Sequence, residues 1–283
     1  MRVALIHRNR PRGKQNRMVG WWAYDVPDFE VTHFPIAKQE TVELNKFRDY
    51  DVVFWEDYSC YPTFKGNGPP IVYQVGDSVI SERHLKNRQK CAEQADLILV
   101  KRDDLNKFRH IGPTRRCADC VNDELFYDRG FERTIDVSWH CRGTTDRRYE
   151  VGRFLKEHCL NMGYNFVSGT VGGEKYATDF SRSKISVNQI THVRNQRFFD
   201  IMATGACQLT NPPKEVSGEL HRPGRDYAQW TTLEELKAQV DSLLDTGDWQ
   251  RIARHGYVYV MTEHTWQVRA RECREILRQE LGI

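Results

Sequence analysis

The sequence predicts an α/β protein of two domains, and three observations lead to that prediction. Short apolar runs typical of buried parallel strands alternate with segments of helical period. The chain has 283 residues, which is long for one hydrophobic core and comfortable for two. The strand pattern restarts at Thr134, after an irregular connection that contains Gly112 and Pro113. We therefore expect a domain boundary near residue 132, with a parallel sheet on each side of it.

Composition is typical of an ordinary soluble protein. Hydrophobic residues make up 39% of the sequence, and 42 basic against 39 acidic side chains leave a net charge of +3. No apolar run approaches the roughly 20 residues that span a bilayer, and the apolar stretch after Met1 is too short for a signal peptide. We expect a cytoplasmic protein without membrane partners.

The eight cysteines are scattered, so we expect free thiols rather than a disulfide framework. Only Cys117 and Cys120 have the spacing of a metal site. A single Cys-x-x-Cys without a second pair is weak support for zinc, and two part-buried thiols in a linker are the alternative.

The first half of the chain contains the predicted strands and helices of a parallel sheet. Strands are predicted at residues 3–6, 29–36, 51–55, 71–75 and 97–100, and helices at 81–94 and 103–110. Glu56 and Asp77 follow two of these strands, at the sheet edge where such folds bind ligands. Each carboxylate is a candidate catalytic base, and each could equally cap the next element.

A basic loop without helix or strand period follows the first strand. Its cations could contact the phosphates of DNA while neighbouring tryptophans stack on a base or sugar, and a solvated loop is the equal alternative. The side chains that we assign to acceptor binding on this basis are Arg10, Arg12, Lys14, Arg17, Trp21 and Trp22.

The most informative segment predicts a strand over 183–188, a polar link, a helix from Arg197, a glycine stop at Gly205 and a further strand. A loop that leads from a strand end into a helix N-terminus offers unpaired N–H groups to an anion, and Arg197 adds a guanidinium suited to phosphate. Asp200 follows one helical turn later. The alternative is an ordinary amphipathic helix with a glycine cap.

This segment resembles the C-terminal signature of the CgeB-like (spore-protein type) group 1 glycosyltransferases, in which Arg-x-Phe-Glu-x-x-Ala-x-Gly-Ala follows a strand that ends in Asn. Here the run extends from Arg197 to Ala206. The likeness continues through Gly224-Arg225-Asp226-Tyr227 and Glu263-His264-Thr265-Trp266, and covers residues 134–275.

The resemblance implies two Rossmann-like domains that face each other across a cleft, the GT-B arrangement. Residues 1–132 would form the acceptor domain, residues 133–264 the nucleotide-sugar donor domain, and residues 265–283 a helix of the kind that crosses back to the first domain. The implied reaction moves a glycosyl group from a nucleotide-diphosphate sugar, with a UDP-sugar preferred, to an acceptor hydroxyl. No cofactor and no metal are expected.

The resemblance also assigns residues to the donor site. Arg197 would neutralise the diphosphate, Asp200 would accept hydrogen bonds from the ribose hydroxyls, and the backbone at Thr204, Gly205 and Ala206 would pass close to the donor. The second-rank donor residues are Asn188, Arg194, His192, Arg142 and Gly143. Two positions depart from the pattern, because His192 stands where many group 1 enzymes have Glu and Asp200 is one methylene shorter than the family's Glu.

Other nucleotide-binding classes lack their main support, since the chain has neither a Gly-x-x-x-x-Gly-Lys-Ser/Thr loop nor a Gly-x-Gly-x-x-Gly run after the first strand. The acceptor stays open between a hydroxymethylated base in phage DNA, which the basic loop slightly favours, and a saccharide or protein hydroxyl. A non-catalytic nucleotide-sugar or nucleic-acid binding protein with the same fold is the rival class.

Overall fold

The structure is a computed structural model in which the chain forms two compact units. The first unit comprises Met1–Asp119 together with Trp266–Ile283, and the second comprises Cys120–Thr265. The division therefore falls earlier in the chain than residue 132. The structure describes residues 1–8, 29–37, 40–56, 61–75, 82–100, 105–117, 120–141, 146–169, 173–190, 196–211 and 222–283.

The first unit is built on a six-stranded parallel sheet. Its strands, together with the short pair β3 and β5, are β1 Arg2–Arg8, β2 Glu30–Ile36, β3 Thr41–Glu43, β4 Val52–Glu56, β5 Thr63–Lys65, β6 Ile71–Val75, β7 Leu97–Val100 and β8 Thr114–Arg116. The order across the large sheet is β2-β1-β4-β6-β7-β8, and every pair is parallel. Helix α1 spans Glu82–Ala92. The predicted strands at 71–75 and 97–100 are confirmed residue for residue.

The helix predicted over 103–110 is wrong for the part that the structure describes. Only a 3-10 turn forms there, at Leu105–Lys107. The N–H groups of Phe108 and Arg109 both bond to the Leu105 carbonyl, and Ile111 then bonds to Phe108. The backbone therefore tightens into successive turns before Pro113, a residue that also disfavours helical geometry in the residue before it.

The second unit is built on a five-stranded parallel sheet of order β10-β9-β11-β12-β13. Its strands are β9 Ile135–His140, β10 Phe166–Gly169, β11 Ser183–Asn188, β12 Cys207–Thr210 and β13 Ala228–Gln229. Its helices are α2 Asp146–Met162, α3 Gly173–Ser181, α4 Gln196–Ala203, α5 Leu233–Thr246 and α6 Trp249–Glu263, and the last helix of the chain, α7 Trp266–Leu281, belongs to the first unit. No helix in the described ranges is both long enough and apolar enough to cross a membrane.

The two faces of the second sheet differ in chemistry. One face carries apolar side chains such as Val137, Ile185 and Leu209, which form a core with residues of α2 and α5. The alternate positions of the same strands are polar, and Ser138 and Ser186 join across the other face with their Oγ atoms 2.7 Å apart. Helices α3 and α4 contribute their own apolar cluster. A row of buried polar groups therefore runs toward the carboxyl edge of this sheet.

The Arg133 guanidinium ties together three elements of the second unit at the amino edge of the sheet. Its Nη1 atom donates to the carbonyls of Phe180 and Ser183 at 3.2 and 3.0 Å, and its Nη2 atom donates to the carbonyl of Thr204 at 2.8 Å. Burial lowers the pKa of Arg133, and the nearby Asp128 carboxylate opposes that effect. These bonds fix the end of α3, the start of β11 and the end of α4.

Gly205 ends α4 in the left-handed region, with φ of 71°. An added Cβ would lie 2.7 Å from Nη2 of Arg133 and 2.9 Å from Oδ2 of Asp128. Gly247, which ends α5, has a similar φ of 75°, but no heavy atom lies within 4 Å of an added Cβ.

We expect Gly205→Ala to lower the free energy of unfolding by about 2–3 kcal/mol, because backbone strain adds to displacement of the Arg133 hydrogen bonds. Gly247→Ala is the matched control and should cost only about 1 kcal/mol of strain. Urea denaturation followed by tryptophan fluorescence measures both. Equal losses for the two variants would contradict the importance of the Arg133 contact.

Candidate functional site

The carboxyl edge of the second sheet brings together residues from three elements. Asn188 is the last residue of β11, Arg197 lies in the first turn of α4, and Tyr176 comes from α3. Strand ends and helix starts meet at this edge because every strand of the sheet is parallel. This edge of a doubly wound sheet is where ligands bind.

Arg197 is held by neutral groups. Its Nε atom donates to the Tyr176 hydroxyl at 3.0 Å, and its Nη1 atom donates to Oδ1 of Asn188 at 3.3 Å. Tyr176 and Asn188 are both fully buried, so the two acceptors are rigid supports. A guanidinium has five N–H donors, and these two bonds leave others available at the edge of the sheet.

The charge of Arg197 has no carboxylate partner in the part of the chain that the structure describes. Burial lowers the pKa of Arg197, and the Tyr176 hydroxyl together with the Cys141 thiol outweigh that effect, so its pKa lies above the ordinary value. A largely desolvated cation that is held only by neutral acceptors is incompletely compensated. The arrangement therefore favours binding of an anion.

Asp200 lies three residues after Arg197, so both side chains lie on neighbouring positions of α4. The Asp200 side chain is 3% exposed. The site thus contains one cation and one buried carboxylate within a single helical turn, which agrees with the spacing that the sequence predicted.

His140 is a site residue that the sequence analysis missed. It is the last residue of β9, and the register of β9 with β11 sets it beside Asn188. Its Nε2 atom lies 3.4 Å from Oδ2 of Asp179, which also accepts a hydrogen bond from Lys175 at 2.7 Å. The His140 ring meets Tyr176 edge-on, with centroids 5.4 Å apart. A search for polar residues at the ends of adjacent strands could have found it.

Thr204, Gly205 and Ala206 lie apart from Asn188 and Arg197, and the prediction that their backbone passes close to the donor stays a prediction. They end α4 and precede β12, at the sheet edge opposite to Asn188. Thr204 and Ala206 are fully buried, and the Thr204 hydroxyl bonds to the Ile201 carbonyl at 2.7 Å. Their pattern in the sequence agrees with the end of a helix.

The first unit has a second polar group of residues at the carboxyl edge of its own sheet. Glu56 ends β4 and pairs in register with Gln74 of β6, and the next strand over, β1, carries His7 at the same level. Gln74 is only 1% exposed, yet neither of its amide atoms has a hydrogen-bond partner within the described ranges. A buried amide in that state is a binding point for water or for a ligand.

Many residues assigned from the sequence lie outside the residues that the structure describes, so their roles stay predictions. Asp77, a candidate base, is one of them. For Glu56, the other candidate base, the structure describes the backbone and not the side chain. The remaining positions outside the described residues are Arg142, Gly143, His192 and Arg194 for the donor, and Arg10, Arg12, Lys14, Arg17, Trp21 and Trp22 for the acceptor.

Cys117 and Cys120 are both buried free thiols. The Cys117 thiol is hydrogen-bonded to that of Cys273 in α7, and burial together with this contact raises the pKa of Cys273. No group of three or more His, Cys, Asp or Glu side chains that could hold a metal ion occurs among the described residues.

Comparisons with known proteins bear on both the fold and the site. The profile of the family described as Glycosyl transferase-like matches residues 137–275, just under half of the chain and the part that contains Asn188, Arg197 and Asp200. No curated protein sequence is similar enough to match the chain.

Solved structures match over nearly the whole length. HepE from Anabaena, solved in complex with UDP and glucose, is 11% identical with a TM-score of 0.70, and the match covers 99% of this chain and 100% of HepE. The HepE complex with UDP-glucose gives the same TM-score at 10% identity, over the same shares of both chains. Sucrose-phosphate synthase from Thermosynechococcus elongatus is 13% identical with a TM-score of 0.66, over 99% of both chains.

The chain has the GT-B fold. The predicted fold class, α/β with two Rossmann-like domains, is therefore confirmed, and each unit is built on its own parallel sheet. At 10–13% identity the solved structures establish the fold alone. The likeness to the CgeB-like group within the GT-B superfamily stays a prediction.

Proposed function

We propose that this protein is a glycosyltransferase that takes a sugar from a nucleotide-diphosphate sugar, with a UDP-sugar as the preferred donor, and transfers it to an acceptor hydroxyl. The second unit would bind the donor and the first unit the acceptor. The match to the Glycosyl transferase-like family and the fold shared with HepE, which was solved with UDP-glucose, support the proposal.

The observation that carries the proposal is the support of Arg197 by Tyr176 and Asn188, without a carboxylate partner among the described residues. This guanidinium stands at the start of α4, where backbone N–H groups also favour negative charge. A diphosphate supplies that negative charge in a geometry that suits a guanidinium.

The proposed roles follow from this position. Arg197 neutralises the diphosphate, Asp200 accepts hydrogen bonds from the ribose hydroxyls, and Asn188 keeps the Arg197 side chain in place. During transfer the anomeric C–O bond to the diphosphate breaks, a bond to the acceptor oxygen forms, and the hydroxyl proton passes to the catalytic base, for which Asp77 and Glu56 are the candidates. His192, Arg194, Arg142 and Gly143 remain second-rank candidates for the same pocket.

The proposed mechanism needs no metal ion. Negative charge develops on the leaving diphosphate as the bond to the sugar breaks, and preorganised hydrogen-bond donors and cations can stabilise that charge. Arg197 and the N-terminal end of α4 provide such groups.

The acceptor side of the proposal rests on the first unit. Glu56 and Asp77 are the candidate bases, because both follow strands of its sheet. The buried amide of Gln74, in register with Glu56, could hold an acceptor hydroxyl. A hydroxymethylated base in DNA and a saccharide or protein hydroxyl are the two acceptor classes, and the basic sequence between Arg10 and Arg17 favours the first.

The donor assignment predicts that Arg197→Ala weakens UDP binding by about 2–4 kcal/mol, roughly 30- to 1000-fold in Kd, because the phosphate charge loses its partner. Isothermal titration calorimetry with UDP measures the change. Arg254→Ala removes an exposed arginine from α6 and serves as the matched control, with affinity expected to stay at the wild-type value.

Unchanged UDP affinity in folded Arg197→Ala would remove this residue from the donor site. Tight UDP binding by the wild-type protein without sugar transfer to any acceptor would instead support the rival class, a binding protein that has the fold without the activity.

The mechanism predicts that activity survives chelation, because Arg197 and helix N–H groups replace a divalent cation. UDP release from UDP-sugar should proceed at the same rate in EDTA as in buffer. Loss of activity in EDTA that manganese or magnesium restores would rule the metal-independent mechanism out.

The DNA-acceptor hypothesis predicts salt-dependent binding of duplex DNA through the basic loop. Replacing Arg10, Arg12, Lys14 and Arg17 with Ala should remove up to four phosphate contacts, each of which contributes about 0.9 to the log–log salt slope. Trp21→Ala or Trp22→Ala should cost about 1–3 kcal/mol more if the ring stacks on a base. Fluorescence anisotropy over a salt series measures these effects, and UDP affinity is the control for folding.

If the wild-type protein shows no salt-dependent binding to plain or hydroxymethylated DNA, the DNA hypothesis fails. A saccharide or protein hydroxyl then becomes the preferred acceptor class.

A further inference from the structure

Gln74 is a buried amide near the carboxyl end of β6 in the first unit. Its side chain is 1% exposed, and neither Nε2 nor Oε1 has a hydrogen-bond partner among the described residues. A side-chain amide carries two N–H donors and one carbonyl acceptor. Leaving these groups without partners away from water costs stability, so a native protein that keeps such an amide needs a reason for it.

The neighbours of Gln74 on its own face of the sheet are apolar toward the interior and polar along one row. Val72, two residues earlier, and Leu99, in register on β7, are both fully buried. Glu56 is in register on β4, and His7 of β1 stands at the same level beyond it. An apolar residue would fill the position of Gln74 as well as Val72 and Leu99 fill theirs, so packing does not explain the amide.

Gln94, in the same unit, shows an amide that serves the structure. Its Oε1 atom accepts a hydrogen bond from the backbone N–H of Phe64 at 3.0 Å, and its Nε2 atom donates to the carbonyl of Pro62 at 3.3 Å. Both ends of that amide are satisfied within the protein, and they hold the segment that forms β5. Gln74 makes no comparable contact in the described ranges, which leaves its amide available to a ligand.

A ligand that satisfies this amide has to supply an acceptor and a donor side by side. Two adjacent hydroxyls of a sugar ring do so, because one accepts from Nε2 while the other donates to Oε1. The amide is uncharged, so the match needs no charge on the ligand. A base of duplex DNA would first have to leave the helical stack to reach a side chain that is 1% exposed, whereas a saccharide hydroxyl needs no such step.

We propose that Gln74 binds two neighbouring hydroxyls of the acceptor, and that the acceptor is therefore a saccharide. This inference rests on the proposed function, in which the first unit binds the acceptor and Glu56 is a candidate base. Gln74 and Glu56 lie on adjacent strands at the same level, so a sugar held by Gln74 lies next to the strand end that carries Glu56. The basic sequence between Arg10 and Arg17 favours DNA by its charge, and hydroxymethylated DNA is the competing acceptor in the test.

Saturation-transfer NMR of the full chain with a panel of methyl glycosides measures acceptor binding without relying on transfer. At least one glycoside should bind to the wild-type protein, and Gln74→Met should weaken that binding roughly tenfold or more, because two hydrogen bonds are lost. A deoxy analogue that lacks one of the two hydroxyls should bind more weakly to the wild-type protein, and should lose almost no affinity for Gln74→Met. UDP affinity should be the same in both proteins.

Gln94→Met is the matched control, because it makes the same substitution at an amide with partners. Its glycoside affinity should equal that of the wild-type protein, whereas urea denaturation should show a loss of stability, since two internal hydrogen bonds are removed. Gln74→Met should be at least as stable as the wild-type protein, because methionine has a similar length and leaves no buried amide without partners. Opposite effects of the two variants would separate a binding amide from a structural one.

Equal glycoside affinity in the wild-type protein and in folded Gln74→Met would overturn the proposal. A wild-type protein that binds no glycoside would also overturn it, and binding of hydroxymethylated DNA would then identify the acceptor instead. If UDP does not bind, the failure concerns the donor assignment of the proposed function, because the glycoside titrations are carried out without UDP.

Discussion

The hydrogen bonds of Arg133 constrain the elements on which the candidate donor site depends. This one guanidinium bonds to carbonyls at the end of α3, the start of β11 and the end of α4. The same three elements supply Tyr176, Asn188 and Arg197 at the other edge of the sheet. Because a short helix and a six-residue strand are stiff over that distance, fixing one end of each fixes the geometry of the other end.

Two half-buried arginines of the second unit, Arg133 and Arg197, illustrate two uses of the same side chain. Arg133 has backbone carbonyls and Asp128 as acceptors, so its charge is satisfied within the protein. Among the described residues, Arg197 has neutral partners, the Tyr176 hydroxyl, the Asn188 amide oxygen and the Cys141 thiol, which orient the guanidinium without neutralising it. A charge that is oriented but not neutralised costs stability in the empty protein and strengthens binding of an anion, which is the usual exchange between stability and function.

The sequence was sufficient where local pattern decides the structure. The apolar strands at 71–75 and 97–100, the strand Ser183–Asn188 and the helix Gln196–Ala203 follow directly from periodicity, and Arg197 and Asp200 share a helical turn as their spacing requires. The sequence was insufficient where contacts between residues far apart in the chain determine the structure. Arg133, from a distant part of the chain, lies close to Gly205, and His140 joins the site through strand register. The contact of Arg133 leaves no local signal, and the position of His140 emerges only when the ends of adjacent strands are compared.

Helix α7 belongs to the first unit although residues 120–265 separate it from the rest of that unit. Trp266, Ala270, Cys273 and Leu277 are buried, so the first unit lacks part of its core until they are present. During synthesis from the N-terminus the ribosome completes the sequence of the second unit first. The first unit begins the chain but can complete its fold only after the second unit has been synthesised. Part of the apolar surface of the first unit therefore stays uncovered while the second unit folds.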